Sequence, residues 1–343
     1  MSFLRADGVD TTPLPNAFAE PPAGPPRRVG APSEARALRL SVPSGVKPSA
    51  IMWPWAIGIA AYHLLALLAF VPWFFSWSGV AVAFLGFVVF GVLGVNVGYH
   101  RLLTHRGFSC PQWVEHTLAI LGVCSLQGAP AFWVAAHRRH HQHADEQPDP
   151  HSPLVNFFWA HMGWLLVDSG VLAPLGWKFR YAKDLLDVPF YKSLERSYIW
   201  IVLGTWIAFF AAGVAVMVLT GAGPWRALQF GSSLLVWGVF VRTVVVWHVT
   251  WSVNSVTHLW GYRNYDNDEN SRNNVLVAIL AIGEGWHNNH HADQRSAKHG
   301  HLWWELDGSY LIIRLLAALG LANKIVMPNP RLAAKRRGAA RVL

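Results

Sequence analysis

Eight histidines of this sequence fall into three short clusters, and their type and spacing point to chemistry at a metal centre. The clusters are His100-Arg-Leu-Leu-Thr-His105, His137-Arg-Arg-His140-His141 and His287-Asn-Asn-His290-His291. Neutral imidazole nitrogen is a ligand that zinc, iron, copper and nickel all accept. The clusters therefore predict bound metal without naming the ion.

The spacing within each cluster predicts where its imidazoles point. In His-x-x-His-His the first residue lies three and four positions from its partners, so on a helix all three should project from one face toward one point. The step of five residues from His100 to His105 turns a straight helix by about 140°. We therefore expect the helix to break there, or these two ligands to reach two metals.

A ninth histidine, His258, follows Asn254 by four residues, and Asn254 is a candidate for a weak, water-bridged ligand. Nine imidazoles exceed what one octahedral ion can accept, so two metal ions are the simpler prediction. The other histidines fit no shared cluster and are expected to be packing or surface residues: His63, His116, His143, His151, His161, His248, His299 and His301.

The histidine clusters lie in a sequence that has the composition of a membrane protein. Hydrophobic residues make up 53% of the chain and charged residues 14%, which is too apolar for an ordinary soluble domain. The formal charge of +9 fits contact with an anionic membrane face better than nucleic-acid binding, because the basic residues are scattered among apolar stretches. We expect an all-α integral membrane fold, in which four transmembrane helices form two hairpins below a cytoplasmic helical cap that holds a dimetal site.

Four apolar stretches are long enough to cross a bilayer: 51–75, 79–98, 198–221 and 227–250. Residues 1–50 read as a flexible, Pro-rich tail, residues 51–325 as the membrane domain and residues 326–343 as a basic tail. The turns within both hairpins are poor in Lys and Arg, so the positive-inside rule places both termini and all His clusters in the cytoplasm.

A fifth apolar stretch, 113–135, is interrupted by Gln127, Gly128 and Pro130. It also joins two histidine clusters that must lie on the same side of the membrane. A buried or re-entrant helix pair therefore fits this stretch better than a further span.

These residues resemble the membrane-bound fatty acid desaturase family, most closely its delta-9 acyl-CoA (stearoyl-CoA-type) members. The resemblance covers residues 51–310. It rests on Gly98-Tyr-His-Arg-Leu-Leu-Thr-His105, Phe132-Trp133 before the second cluster, Asp149-Pro-His151, Asn254-Ser-Val-Thr-His258 and Gly283-Glu-Gly-Trp-His-Asn-Asn-His-His291.

The resemblance implies a diiron centre that activates O2 and removes two hydrogens from a saturated acyl chain, leaving a cis double bond, with delta-9 as the expected position. Redox-inert zinc could not supply such an oxidant. Asn254 would reach one iron through water. The implied direct ligands are His100, His105, His137, His140, His141, His258, His287, His290 and His291.

The resemblance also implies a bent acyl tunnel. We expect Phe84 and Val88 on the second span to close its methyl end. Glu284, one turn before His287, is expected either to orient a ligating imidazole or to complement a helix start. The residues corresponding to the family's tunnel kink are Gln127, Trp133, Thr250 and Trp251.

Ala135 and Ala136 stand where animal acyl-CoA enzymes carry an Arg-Asp pair associated with the CoA headgroup, so acyl-CoA, acyl-ACP and glycerolipid carriers all stay open. We expect no fused cytochrome b5 domain, so a separate protein, such as ferredoxin or cytochrome b5 with its reductase, would donate electrons. Two alternatives remain at this point. One is a membrane diiron hydroxylase or ketolase acting on a lipid, and the other is a non-enzymatic metal-binding membrane protein.

Overall fold

The computed structural model describes residues 40–42, 47–147, 149–168 and 175–333. Most of the expected N-terminal tail and residues 334–343 of the expected basic tail lie outside these ranges, so the domain boundaries stay predictions. The last residues of the N-terminal stretch form strand β1, Lys47–Ile51, which pairs antiparallel with β2, Val167–Asp168. This short pair fastens the start of the first span to the segment that follows the second histidine cluster.

Two helices in the first half of the chain are long and apolar enough to span a membrane. Helix α1 (Trp53–Ala66) begins with Pro54, whose ring suits a first helical turn, and continues as a 3₁₀ turn at Leu67–Phe70. After a further 3₁₀ turn at Pro72–Phe74, the Ser76 hydroxyl accepts the Gly79 N–H and caps helix α2 (Trp77–Gly86). Helix α2 continues as a π-helix over Phe87–Thr104, which completes the second span.

Helices α3 (Gln112–Val123) and α4 (Pro130–His143) form the predicted pair after the first hairpin. With 12 and 14 residues they are too short for a hydrocarbon core about 30 Å thick. Backbone carbonyls buried away from water need other donors, and side chains from spans two and four supply them at the turn between α3 and α4. These bonds are Arg242 Nη1 to Cys124 O (2.7 Å), Trp247 Nε1 to Leu126 O (3.0 Å) and Tyr99 Oη to Gly128 O (3.2 Å).

The second hairpin follows a π turn at Trp159–Gly163, helix α5 (Trp164–Leu166) and helix α6 (Leu175–Leu186). Its first arm is helix α7 (Pro189–Leu219). Its second arm joins helix α8 (Pro224–Leu235), a π-helical stretch (Val236–Val241), helix α9 (Arg242–Ser255) and a 3₁₀ turn (Val256–His258). Helices α7 and α8 pack where Gly213 meets Gly231, since a Cβ on Gly213 would lie 2.7 Å from Gly231 Cα. Small residues permit such close approach between membrane helices.

The remaining described elements are short helices that complete the cap: α10 (Val275–Leu280), α11 (His287–Ala292), α12 (Gly308–Ala318) and α13 (Pro330–Ala333). The side chains of Asn274 and Asp307 cap α10 and α12 by accepting backbone N–H groups. The prediction of an all-α fold with four spans is confirmed. Spans two and four, Trp77–Thr104 and Pro224–His258, run past their predicted ends because the same helices carry histidines into the cap.

Candidate metal centre

The nine clustered histidines meet in two adjacent groups, and in each group one ligand atom per residue lies within 4.8 Å of all the others. The groups touch where the ring centroids of His141 and His291 lie 4.4 Å apart. The five-histidine group contains His100, His105, His137, His141 and His290, and the four-histidine group contains His140, His258, His287 and His291.

Each His-x-x-His-His cluster divides its ligands between the two groups. His137 and His141 belong to the five-histidine group, whereas His140 between them belongs to the other. The expectation that all three imidazoles meet at one point was wrong. Positions three and four residues beyond a helical residue are themselves 100° apart, so neighbouring histidines can face two sites. The third cluster shows the same division, with His290 separated from His287 and His291.

The first cluster reaches a single group because its helix is wound as a π-helix. The N–H of His105 donates to the carbonyl of His100 at 3.1 Å, which is the i to i+5 bond that defines this winding. The wider turn brings residues five apart onto one face, and the ring centroids of His100 and His105 are 4.8 Å apart. The helix does end at Thr104, but the two imidazoles face one site.

Ring nitrogens in both groups crowd together in a way that suits a shared cation. His100 Nε2 lies 3.1 Å from His290 Nε2, and His290 Nε2 lies 2.9 Å from His141 Nε2. In the other group His258 and His287 bring their Nε2 atoms within 3.0 Å. Buried polar atoms rarely lack partners, yet within the described chain His105, His140 and His291 all bury an Nε2 atom that has none. These residues therefore fit metal ions at both groups.

Carboxylates hold the opposite nitrogen of several of these imidazoles. Glu284 accepts the His100 Nδ1–H at 2.6 Å, and Asp149 accepts the His140 Nδ1–H at 3.0 Å. Such partners fix the tautomer of a ligating histidine and leave its Nε2 free for metal. Glu284 thus orients an imidazole, as one of its two expected roles required, although that imidazole belongs to His100 and not to the nearby His287.

Sequence reasoning missed three of these carboxylates. Besides Asp149, Asp145 accepts the His258 Nδ1–H at 3.1 Å, and Glu269 lies 3.6 Å from His291 Nδ1. Asp149 stands in the Asp149-Pro-His151 motif, so proximity to the second cluster was a usable signal. Glu269 lies in a loop between distant clusters and gave none.

The protonation of these groups suits metal binding. Burial, reinforced by neighbouring imidazoles, lowers the pKa of His137, His141, His287 and His291 well below its ordinary value, so these rings stay neutral. Burial alone would raise the pKa of Glu284, but the adjacent guanidinium of Arg101 holds it well below the usual range. Neutral imidazole is the form that binds metal.

His151 and His299, expected to be packing or surface residues, lie against the two histidine groups. The His151 ring centroid is 4.5 Å from that of His140, and the His299 centroid is 4.4 Å from that of His290. Both side chains are buried. They enlarge the imidazole environment of the centre without joining either group.

An apolar cavity opens beside the two histidine groups, with His100, His137 and Glu284 in its wall. Helix α1 contributes Trp55 and Ile59, and helix α9 contributes Val249, Val253 and Asn254. All four residues predicted to form the kink line it: Gln127, Trp133, Thr250 and Trp251.

Three of the kink residues are joined by hydrogen bonds. Gln127 Nε2 donates to Thr250 Oγ1 at 3.0 Å, and Trp133 Nε1 donates to Gln127 Oε1 at 3.2 Å. The polar ends of Gln127 are thereby satisfied inside an apolar wall. The bonds also tie the start of α4, which carries the second histidine cluster, to the fourth span.

The residues expected to close the tunnel lie elsewhere in the part of the chain that the structure describes. Phe84 is 71% exposed on the outer face of α2, and the cavity wall is formed by other residues than Phe84 and Val88. Val95 and Asn96, further along the same span, line the cavity instead. Membership of the second span does not by itself decide which of its side chains face the cavity.

Comparison with known proteins decides the family. Residues 73–307 match the fatty acid desaturase family model. The chain belongs to the fatty acid desaturase family. As a member it is an oxidoreductase of lipid metabolism, and its two histidine groups fit a metal site.

Three relatives indicate the range of substrates within the family. A sn-1 stearoyl-lipid 9-desaturase of Anabaena variabilis is 41% identical over 85% of this chain and all of its own length. A sn-2 palmitoyl-lipid 9-desaturase of Nostoc is 39% identical over 82% of this chain and 92% of its own. An icosanoyl-CoA 5-desaturase of Limnanthes douglasii is 39% identical over 80% of this chain and 72% of its own.

Proposed function

We propose that this fatty acid desaturase introduces a cis double bond at the delta-9 position of a saturated acyl chain carried on a glycerolipid. The observation that carries the proposal is that one apolar cavity is lined by histidines of the five-histidine group and also by the hydrogen-bonded kink residues. The names of the Anabaena and Nostoc relatives support the position and the carrier.

Two iron ions are the proposed cofactor, one in each histidine group, with Asn254 as the candidate water-bridged ligand beside His258. Bound iron would supply the O2-derived oxidant needed to break unactivated C–H bonds, which redox-inert zinc cannot provide. Glu284, Asp145 and Asp149 would hold the His100, His258 and His140 rings in the ligating tautomer. Overall, O2, two electrons, two protons and the two substrate hydrogens would give two water molecules.

The cavity residues have two proposed tasks. Aromatic and aliphatic side chains such as Trp55, Ile59 and Val95 would hold the acyl chain and exclude water. The Gln127–Thr250 hydrogen bond would keep the bend of the cavity fixed, so that one pair of methylene carbons lies nearest the metals. Selection of position then follows from orientation, since reactions depend steeply on alignment.

A glycerolipid carrier is favoured over CoA by the residues that precede the second histidine cluster. Ala135 and Ala136 are both buried, and Ala136 lines the cavity. This position is therefore apolar wall in this chain, with no charge for a CoA headgroup. The CoA-linked substrate named for the Limnanthes relative keeps acyl-CoA as the alternative to be tested.

Orientation and electron supply complete the proposal. By the positive-inside rule, the basic residues outside the spans support a cytoplasmic location for both termini and the histidine groups. A separate electron-transfer protein, ferredoxin or cytochrome b5 with its reductase, would deliver the two electrons. A hydroxylase or ketolase is not favoured, because the relatives are named as desaturases.

The test is expression in a desaturase-deficient host, followed by mass-spectrometric mapping of double bonds in each lipid class. We expect delta-9 monoenes that appear first in glycerolipids and disappear in His291→Ala. Monoenes that appear first in the acyl-CoA pool would overturn the carrier, and hydroxylated chains would overturn the reaction. Iron analysis of purified protein, with zinc measured alongside, tests the cofactor separately.

A further inference from the structure

Three histidines outside the metal groups form a continuous chain of side-chain contacts. His63 on α1, His248 on α9 and His161 in the π turn before α5 are distant in sequence. His63 Nε2 lies 3.0 Å from His248 Nε2, and His248 Nδ1 lies 2.9 Å from His161 Nε2. All three rings are partly exposed at the surface between these elements.

At each end of this row of three histidines, the neighbouring group can act only as a hydrogen-bond acceptor. His63 Nδ1 lies 2.7 Å from the carbonyl oxygen of Ile59, which can only accept, so this nitrogen carries a hydrogen. At the other end the Ser255 hydroxyl donates to the Trp251 carbonyl, and His161 Nδ1 lies 3.0 Å from that hydroxyl oxygen. The Ser255 hydrogen is then already used, so His161 Nδ1 is the donor to Ser255.

These anchors determine the remaining tautomers for neutral rings. With its hydrogen on Nδ1, His161 has a bare Nε2, which accepts from His248 Nδ1–H. His248 Nε2 is then bare as well, and so is His63 Nε2, because each neutral imidazole carries one hydrogen. Two lone pairs therefore face each other across 3.0 Å, and a cation between them would remove the repulsion.

We propose that His63 and His248 bind a divalent transition-metal ion of the zinc type through their Nε2 atoms, separately from the two histidine groups in the cap. Zinc–imidazole bonds of about 2.0–2.1 Å in tetrahedral geometry place two ligand nitrogens about 3.3 Å apart. The pair needs to open only slightly to reach that distance. Nitrogens in the two metal groups of this protein face each other across similar distances of 2.9 to 3.1 Å.

The surroundings of the pair are those of ligating histidines. A histidine ligand usually donates its other N–H to a carbonyl, a carboxylate or water, and His63 does so to Ile59. His248 donates into the imidazole of His161, which is itself anchored to Ser255.

The proposed ion would keep two coordination positions for ligands from outside the protein. The rings of Trp247 and Trp251 flank the histidines, which lie within the first and fourth spans and are partly exposed. Water would fill the open positions. Such a site binds metal less tightly than a closed four-ligand site and exchanges it with the medium.

The test counts metals in the purified, iron-loaded protein after equilibration with Zn²⁺ and removal of free metal. We expect wild type to retain one zinc per chain beyond its iron, and His248→Asn to lose that zinc with its iron unchanged. His116→Asn is the matched control, because His116 is also partly exposed but stacks on Phe190, and we expect it to keep the zinc.

A second readout protects the test against misfolding. If His248→Asn does not purify as a monodisperse protein, His63→Gln replaces it, and Co²⁺ replaces Zn²⁺ so that tetrahedral coordination is seen by visible absorption. Loss of the Co²⁺ band in His63→Gln supports the site. Wild type that binds no metal beyond iron, or variants that bind as much as wild type, would overturn it and assign a shared proton to the pair.

Discussion

Glu284 contacts the candidate ligand His100 and its sequence neighbour Arg101 at the same time. One carboxylate oxygen lies 2.6 Å from His100 Nδ1, and the other accepts from the Nε and Nη2 atoms of Arg101 at 3.0 and 2.7 Å. Arg101 is fully buried and also bonds Asp307 at 2.9 Å. The ring of one ligand is thus positioned by an ion-pair network that reaches the start of α12.

The first prediction concerns this carboxylate. Glu284→Gln keeps the shape of the side chain but removes the charge that fixes the His100 tautomer and compensates Arg101. We expect iron affinity to fall by about 10- to 100-fold, with a matching loss of monoene product. Iron content at graded chelator concentrations measures the first effect. Glu115→Gln is the control, because Glu115 accepts the Tyr191 hydroxyl and not an imidazole of the two groups, and equal loss in both variants would contradict the assignment.

The second prediction separates the two histidine groups. Among the nine clustered histidines, Asp149 hydrogen-bonds His140, which belongs to the four-histidine group. We expect Asp149→Asn to weaken metal binding there by about 10- to 100-fold while the five-histidine group stays loaded. Iron per chain should fall toward half of the wild-type value. Uniform loss of both irons in this variant would show that the groups bind metal only together.

The third prediction concerns the cavity. Val95 is buried and lines the cavity, whereas Phe84 lies outside it. Val95→Phe should reduce activity on long acyl chains and shift products toward shorter ones, at a stability cost of about 1–3 kcal/mol from overpacking. Phe84→Ala should leave the product distribution unchanged. Gas chromatography of cellular fatty acids measures both, and a changed distribution in Phe84→Ala would restore the original tunnel assignment.

The fourth prediction concerns pH in the metal-free protein. Burial lowers the pKa of His137, His141 and His287 in the folded state, whereas histidines of the unfolded chain bind protons at their ordinary pKa of about 6.5. Below that pH the unfolded state binds more protons than the folded state. The free energy of unfolding therefore decreases as the pH is lowered.

Thermal unfolding of chelator-treated protein in detergent, measured between pH 8 and pH 5, checks this prediction. The pKa values of Asp149 and Glu284 are also lowered, but their contributions are lost only near and below the ordinary carboxylate range of about 4. A decline that begins below about pH 6.5 is therefore assigned to histidine. Unfolding temperatures that stay level down to about pH 5 would contradict it.

Much of the site could be predicted because ligand chemistry and spacing are local. The ligand types and spacing of the three histidine clusters and the lengths of the four spans all depend on residues within a few helical turns. The prediction that each His-x-x-His-His cluster converges on one point was wrong. The division of each cluster between two groups depends on how α4 and α11 face one another, and that is decided by packing across the cap.

Other features lay beyond sequence reasoning because they join distant segments. The contacts among His63, His161 and His248 require α1, α9 and the π turn to meet, and each histidine alone looks like an ordinary packing residue. The π-helix over Phe87–Thr104 was also not predicted, since apolar composition and spacing rules assume 3.6 residues per turn. That winding accounts for the convergence of His100 with His105.

The turn between α3 and α4 has one further consequence. Its carbonyls are satisfied by Arg242, Trp247 and Tyr99, so this bend needs no hydration even though it borders the cavity through Leu126 and Gln127. A hydrocarbon chain would then pass this bend without displacing water from its carbonyls. In the proposed reaction, the side chains that support the bend would thereby also help to exclude water from the metal centre.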